Sequence, residues 1–135
     1  MWPEDTRKAL GLEHVTEFEK DEPCYSFHTF MVLFHTESKK YYIGEDSGRS
    51  CWPPFDDFKE LSDYDGPHTA PEVVAKIREV KVGTMRYRDQ DAWRSDREQA
   101  QDAALIDCQR LSVERVIEHA KERGLWPRKF GTRKP

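Results

Sequence analysis

The feature that most constrains the fold is the run Tyr25–Thr36, where aromatic and β-branched side chains crowd together. Such a run favours a central strand whose two faces are both partly covered. The polar segment Glu37–Lys40 then predicts a turn, and Tyr41–Ile43 predicts the returning strand of an antiparallel hairpin. With a short helix at Glu4–Leu10 and a third strand at His14–Glu19, the first half predicts a sheet of about three strands.

The second half of the chain predicts helices. Thr69 can cap a helix, Glu72 lies three residues on, as a capping box requires, and Pro71 is tolerated in the first turn. This helix is expected to run to about Lys81.

A second helical region is expected over residues 89–123. It could be one long helix or two, with Ser112 marking a break. Gly124 and Leu125 predict a Schellman-type end, and Pro127 prevents extension. The side chains expected to face the core are Ala100, Ala103, Ala104, Ile106, Cys108, Leu111, Val113, Val116, Ile117 and Ala120.

These elements predict an α+β fold in which a small antiparallel sheet is covered on one face by the helices of residues 70–123. At 135 residues, one domain is expected over residues 1–127, with a flexible basic tail at 128–135. A long Ala-rich helix could dimerise, so a homo-oligomer stays open.

Composition favours a cytoplasmic protein. No run approaches the roughly 20 apolar residues of a membrane helix, and the first residues lack the pattern of a signal peptide. The three cysteines, Cys24, Cys51 and Cys108, are odd in number and form no C-x-x-C pair, which indicates reduced thiols.

Residues 45–66 are predicted to form a long loop, which is usually functional or packed on itself. Trp52, Pro54 and Phe55 give it rigid aromatic and proline character, which is typical of interface anchors. The alternative is that Trp52 and Phe55 fold under the hairpin as a lid. The residues predicted to contact a partner are Asp46, Arg49, Trp52, Pro54, Phe55 and Asp57.

Catalysis and metal binding have weak support in the sequence, so the catalytic residues stay unknown and neither metal nor cofactor is expected. The five histidines and three cysteines show none of the spacings of a zinc motif, although Cys24, Cys51 and His68 could meet through tertiary contact. The loop carboxylates Asp46, Asp56, Asp57, Asp63 and Asp65 could serve a metal-dependent hydrolase or nuclease. Aspartate is also the ordinary residue of turns and caps.

Charge is unevenly spread along the chain. Residues 1–69 have a net charge of −8 and residues 70–135 of +4. The basic half could bind nucleic acid through residues such as Arg86, Arg88, Arg128 and Lys129. Interleaved acids and a whole-chain pI near 5.8 argue against a dedicated nucleic-acid binder.

Residues 41–80 resemble a group of small, uncharacterised proteins of actinobacterial phages. The shared element is Asp-Ser-Gly-x-Ser-Cys-x-x-Pro-Phe, present here as Asp46–Phe55 and followed by an acidic stretch before a short helix. Many of these proteins have Cys where this chain has Arg49, so a function that needs two thiols is in doubt. The resemblance implies expression inside a bacterial host and assigns no activity.

The sequence therefore predicts a non-enzymatic phage accessory protein that binds a host or phage protein, with host processes or defence among its possible targets. The loop at 45–66 is the expected contact surface. A hydrolase or nuclease that uses the loop carboxylates, and a nucleic-acid-binding protein, are the alternatives.

Overall fold

The computed structural model describes residues 3–20, 26–49, 55, 57–83 and 96–127. Over these residues the chain has an α+β fold, as predicted. The helices are α1 (Pro3–Ala9), α2 (Ala70–Glu79) and α3 (Asp96–Glu122). The strands are β1 (Leu12–Glu19), β2 (Ser26–His35), β3 (Lys40–Arg49) and β4 (Asp65–His68), and a short 3-10 helix spans Leu61–Asp63.

The described strands form one antiparallel sheet in the order β1-β2-β3-β4. The predicted hairpin is β2–β3, and β1 is the predicted third strand. The sheet has four strands where about three were expected, because β4 pairs with the start of β3. β4 contains Pro67, which cannot donate a backbone hydrogen bond, and its place at the sheet edge suits that residue.

Strand β3 is much longer than predicted. The prediction ended the strand at Ile43 and placed residues 45–66 in a loop, but β3 pairs with β2 without interruption from Lys40 to Arg49. The ten residues of β2 offer a partner to each of these positions, so sheet pairing overrides the local turn preference of Asp46, Ser47 and Gly48. The long loop predicted at 45–66 is shortened at both ends.

The sheet carries a hydrophobic core on each face. Alternate residues of β2 point to opposite faces, so Phe30, Val32 and Phe34 join the larger core beneath α2 and α3. Met31 and Leu33 join a second core on the other face. Helices cover one face as predicted, and the second core agrees with the expectation that both faces of the central strand are partly covered. The other buried members of the second core are Leu12, Tyr42, Phe55 and Tyr64.

Helix α2 begins as its sequence predicts. Thr69 Oγ1 accepts a hydrogen bond from the Glu72 N–H, and the Glu72 carboxylate accepts one from the Thr69 N–H at 2.8 Å. These bonds satisfy two of the backbone donors that a helix start leaves open. The helix ends at Glu79, two residues before the predicted end at Lys81.

Helix α3 is continuous through Ser112, which settles the question of one helix or two over residues 96–122. It ends in the predicted Schellman motif: Gly124 has φ 69°, and the Leu125 N–H donates to the Ala120 carbonyl at 2.8 Å. Leu125 then packs against the larger core.

The inward face of α3 was predicted only in part. Val113, Val116 and Ala120 are buried as expected, but Ile106 and Leu111 are each 40 % exposed. Ala100, Ala103, Ala104 and Cys108 are also exposed. Between residues 102 and 112, the positions facing the core include Asp102, Leu105, Gln109 and Ser112. Polar residues take inner positions because tertiary partners satisfy them, and this hides the helical pattern in the sequence.

Candidate functional site

Asp46 and Phe55, two of the predicted contact residues, are joined to each other. The Phe55 N–H donates to Asp46 Oδ2 at 2.7 Å, and the Ser47 N–H donates to Asp46 Oδ1 at 3.0 Å. Phe55 is 1 % exposed and packs against Phe58 in the second core. Phe55 thus takes the lid position, which was one of the two alternatives, and its side chain is not on the surface.

Gly44 makes room for that lid. A Cβ at this position would lie 2.9 Å from Phe55 Cε1 and 3.1 Å from Tyr64 Cδ2. These distances are shorter than normal van der Waals contact between carbon atoms. A glycine in the middle of β3 therefore lets two aromatic rings pack directly on the strand.

Several predicted residues lie outside the part of the chain that the structure describes. Asp57 is described and exposed, and Arg49 is described only in its backbone, as the last residue of β3. Residues outside the described part are Cys24, Cys51, Trp52, Pro54, Asp56, Arg86, Arg88, Arg128 and Lys129.

Two further loop carboxylates, those of Asp63 and Asp65, have structural partners. Asp63 accepts hydrogen bonds from the N–H groups of Lys59 and Glu60 at 2.8 and 2.9 Å, and these bonds lower the pKa of its carboxyl. Asp65 lies 3.0 Å from His68 and 3.8 Å from Lys76. Within the described ranges, no group of three or more His, Cys, Asp or Glu side chains could hold a metal ion.

The hydrogen-bonded cluster around His119 was not predicted. The Tyr41 hydroxyl lies 2.7 Å from His119 Nδ1, and Glu13 Oε1 lies 3.2 Å from His119 Nε2. Arg123 donates to the same Glu13 oxygen at 3.4 Å and lies over the Phe34 ring at 5.5 Å. Partners 78 and 106 residues apart in the chain leave no local signal in the sequence.

The protonation of this cluster follows from burial. The Glu13 carboxylate can only accept, so His119 Nε2 carries a proton and donates it to Glu13. In the neutral ring Nδ1 then accepts from the Tyr41 hydroxyl, and burial raises the pKa of Tyr41 to about 12, so this hydroxyl keeps its proton. Burial also lowers the pKa of His119, which favours this neutral form. Tyr41 is 1 % exposed, so the cluster joins α3 to β1 and β3 and presents no accessible nucleophile.

A β-bulge brings β1 into register with α3. The pairing of β1 with β2 shifts between His14 and Thr16, so Glu13 and Thr16 both lie opposite residues of the larger-core face. Glu13 therefore reaches the His119 cluster. Thr16 reaches Ser112, with 3.0 Å between the hydroxyl oxygens, and both side chains are fully buried.

A groove of about 410 Å³, called here the β1–α3 groove, lies between these two elements. Its apolar lining includes Val15 and Leu111. The α3 side carries Glu114, Glu118 and Glu122, which are called here the acidic row. Four-residue spacing puts these three carboxylates on one side of the helix.

A second groove of about 300 Å³, the α2–α3 groove, lies on the other side of α3. Gln109 Nε2 closes its inner end by donating to the carbonyls of Ile77 and Val80, each at 2.7 Å. The Ile77 carbonyl also accepts from the Val80 N–H at 3.1 Å, so Gln109 adds a second bond there and ties the end of α2 to α3. The charged lining residues of the groove are Arg78, Arg110 and Glu114, and Arg110 is paired with Glu114 at 3.2 Å. Its apolar lining residues are Ile106, Val113 and Ile117.

A third cleft, of about 690 Å³, lies between the β3–β4 edge and the end of α2. Its charges are already paired in part: Lys20 lies 3.6 Å from Glu45, and Lys76 lies 3.8 Å from Asp65. The cleft therefore shows no preference for an anionic or a cationic ligand.

Comparison with known proteins gives a family and no activity. The family model described as a domain of unknown function, DUF7574, matches residues 3–122. No curated protein and no solved structure matches the chain significantly. Among the described helices, none is long and apolar enough to cross a membrane.

Proposed function

Because the chain belongs to the DUF7574 family, whose function is unknown, we propose a function from its own surface. The protein is a non-enzymatic accessory protein that binds a host or phage protein, and helix α3 is its main contact element.

The observation that supports this proposal is the exposure of two large apolar side chains on α3. Ile106 and Leu111 are each 40 % exposed, while Asp102 and Ser112 are buried on the same helix. Single exposed apolar residues are common on proteins. These two adjoin the α2–α3 groove and the β1–α3 groove respectively, so a partner could cover each together with other apolar side chains. Covering the exposed part of either would contribute about 1 kcal/mol.

The enzyme alternative has less support. Asp46 and Asp63 accept backbone hydrogen bonds, and in the His119 cluster both ring nitrogens of His119 already have hydrogen-bonding partners.

The phage context rests on the resemblance of residues 41–80 to small proteins of actinobacterial phages. A bacterial cytoplasm, in agreement with the cysteine content, is therefore the proposed location.

The test is a tagged pull-down from actinobacterial lysate with wild-type protein, Ile106→Glu and Leu111→Glu, each with and without nuclease. The two variants are matched controls for each other, because both change an equally exposed residue of one helix to the same charged residue. Neither should unfold the protein, since substitutions at exposed positions usually change stability by about 0.5 kcal/mol or less. Circular dichroism and thermal unfolding check this.

We expect wild type to recover one protein stoichiometrically in both samples, and one of the two variants to lose it. The variant that loses the partner identifies the groove in contact. Recovery of the partner by both variants at the wild-type level would refute α3 as the contact surface. A pull-down that is empty, or that disappears with nuclease, would refute protein binding itself and favour the nucleic-acid alternative.

The segment 49–57 stays a second predicted contact surface, through Arg49, Trp52, Pro54 and Asp57. Trp52→Ala tests it in the same pull-down. Loss of the partner with an unchanged melting temperature would assign the contact to this segment, and a lowered melting temperature would indicate a lid role.

A further inference from the structure

Four side chains beside the α2–α3 groove follow one line along α3, called here the α3 stripe. In chain order they are Ile106, Arg110, Glu114 and Ile117. Steps of four, four and three residues keep them on one side of a helix. Ile106, Arg110 and Glu114 are exposed, and Ile117 is partly buried. The α3 stripe therefore has the order apolar, basic, acidic, apolar.

This order is complementary to itself when a second copy of α3 runs antiparallel. The midpoint between Ile106 and Ile117 and the midpoint between Arg110 and Glu114 differ by about half a residue, or about 0.8 Å along the helix. A two-fold axis at this point places Ile106 opposite Ile117 of the second copy, and Arg110 opposite Glu114. In a parallel pair each charge would face its own copy, and like charges oppose association. The charge order therefore favours the antiparallel direction.

The charged members of the α3 stripe keep capacity for a second partner. Arg110 donates to Asp107 at 3.4 Å and to Glu114 at 3.2 Å, and all three side chains are largely exposed. A guanidinium has five N–H donors, and a carboxylate accepts on two oxygens. Each Arg110 can therefore contact Glu114 of a second copy without losing Glu114 of its own chain.

The α2–α3 groove provides space for the isoleucines. It has a volume of about 300 Å³, and Val113 lies in its apolar lining between Ile106 and Ile117. Isoleucines of a second copy would cover this apolar surface together with the exposed part of Ile106. The contact extends over about 17 Å of helix at 1.5 Å per residue. An interface of this length is small, so we expect association to depend on concentration.

We propose that the protein forms an antiparallel homodimer through the α3 stripe. The interface is isologous, because the same surface of each copy contacts the other across the two-fold axis. Ile106 is then covered by the second copy, while Leu111, on another side of α3, stays open to a different partner. This inference does not rest on the proposed function, because it concerns the purified chain alone.

The experiment is sedimentation equilibrium of the purified full chain from low to high micromolar concentration. We expect the average mass of the wild type to rise from the monomer value of 16.0 kDa towards twice that value. Ile106→Glu should stay at monomer mass, because it puts a carboxylate in an apolar contact. Leu111→Glu is the matched control: it changes an equally exposed residue of α3 outside the stripe, and it should associate as the wild type does.

Glu114→Gln tests the direction of the pairing. In the antiparallel dimer it removes two ion pairs between exposed side chains, so the dissociation constant should rise about twofold to tenfold. In a parallel dimer it would remove a repulsion and strengthen association. Glu122→Gln, which changes the net charge equally at an exposed position of α3 outside the stripe, should have no effect.

Four results would overturn the inference. The first is a wild-type protein at monomer mass at every concentration, and this readout needs no variant. The second is a dimer that persists in Ile106→Glu, and the third is a dimer that Leu111→Glu disrupts as strongly. The fourth is stronger association of Glu114→Gln. An empty pull-down would refute the proposed protein partner and leave these measurements on the purified chain unaffected.

Discussion

Tyr41→Phe tests whether the His119 cluster holds α3 on the sheet. The substitution removes one hydroxyl and leaves His119 Nδ1 without its donor at 2.7 Å. Phenylalanine keeps the ring, so the contacts of Tyr41 with Phe34 in the larger core should persist.

The expected cost follows from burial. A lost hydrogen bond costs about 0.5–1.5 kcal/mol, and an unsatisfied buried acceptor costs about 1–3 kcal/mol. The His119 side chain is 13 % exposed, so water can reach the unsatisfied acceptor in part and the lower part of the second range applies. We therefore expect the free energy of unfolding to fall by about 1–2 kcal/mol. For a domain of this size the melting temperature should fall by about 3–8 °C.

Urea unfolding followed by circular dichroism measures the change. The midpoint should fall without a change in slope, because a similar surface is exposed on unfolding. Tyr42→Phe is the matched control: Tyr42 is the next residue of β3, points to the second core, and its hydroxyl has no hydrogen bond among the described residues. It should cost less than about 0.5 kcal/mol.

Equal effects of the two substitutions would refute the reasoning, because both remove a tyrosine hydroxyl and only Tyr41 donates to His119. A Tyr41→Phe protein as stable as wild type would show that the cluster contributes nothing net to the docking of α3.

Three further predictions concern stability. Because the pKa of His119 is lowered in the folded protein, the unfolded chain binds a proton at this imidazole more readily. The contribution of neutral His119 to the free energy of unfolding is therefore complete above about pH 6.5 and is lost as pH falls through the folded pKa. Urea unfolding between pH 7.5 and 5 should show this decrease in stability, and His119→Gln should make it smaller. Gly44→Ala should cost about 1–3 kcal/mol because the new Cβ meets the Phe55 ring, and an unchanged midpoint would contradict the lid packing. Thr69→Ala should cost about 1 kcal/mol through loss of the cap, while Thr69→Ser should restore most of it.

Local sequence determined the elements whose stabilising contacts lie a few residues apart. The start of α2 depends on Thr69 and Glu72, three residues apart, and the end of α3 depends on Gly124 and its neighbours. The hairpin of β2 and β3 follows from a run of strand-forming residues and the adjacent turn. Such contacts are encoded by short patterns, so the α+β class and most element positions could be predicted.

Tertiary structure decided the features that depend on distant partners. β3 continues through turn-forming residues because β2 lies beside it, and Phe55 is buried because Gly44 leaves space on the strand. On α3, Ser112 faces inward because Thr16, 96 residues away, satisfies its hydroxyl. The same arrangement leaves Ile106 exposed. Burial of a polar side chain depends on a partner, and no pattern within one helix identifies that partner.

The candidate surface shows the same division. Composition alone showed that the two halves of the chain differ in charge and that residues 128–135 are basic. The acidic row lines a groove because β1, with its bulge, packs against α3 and the His119 cluster joins the two elements. The sequence thus determined which charges the protein has, and the packing of α3 against β1 determined where they meet, because a groove needs two elements that are distant in the chain.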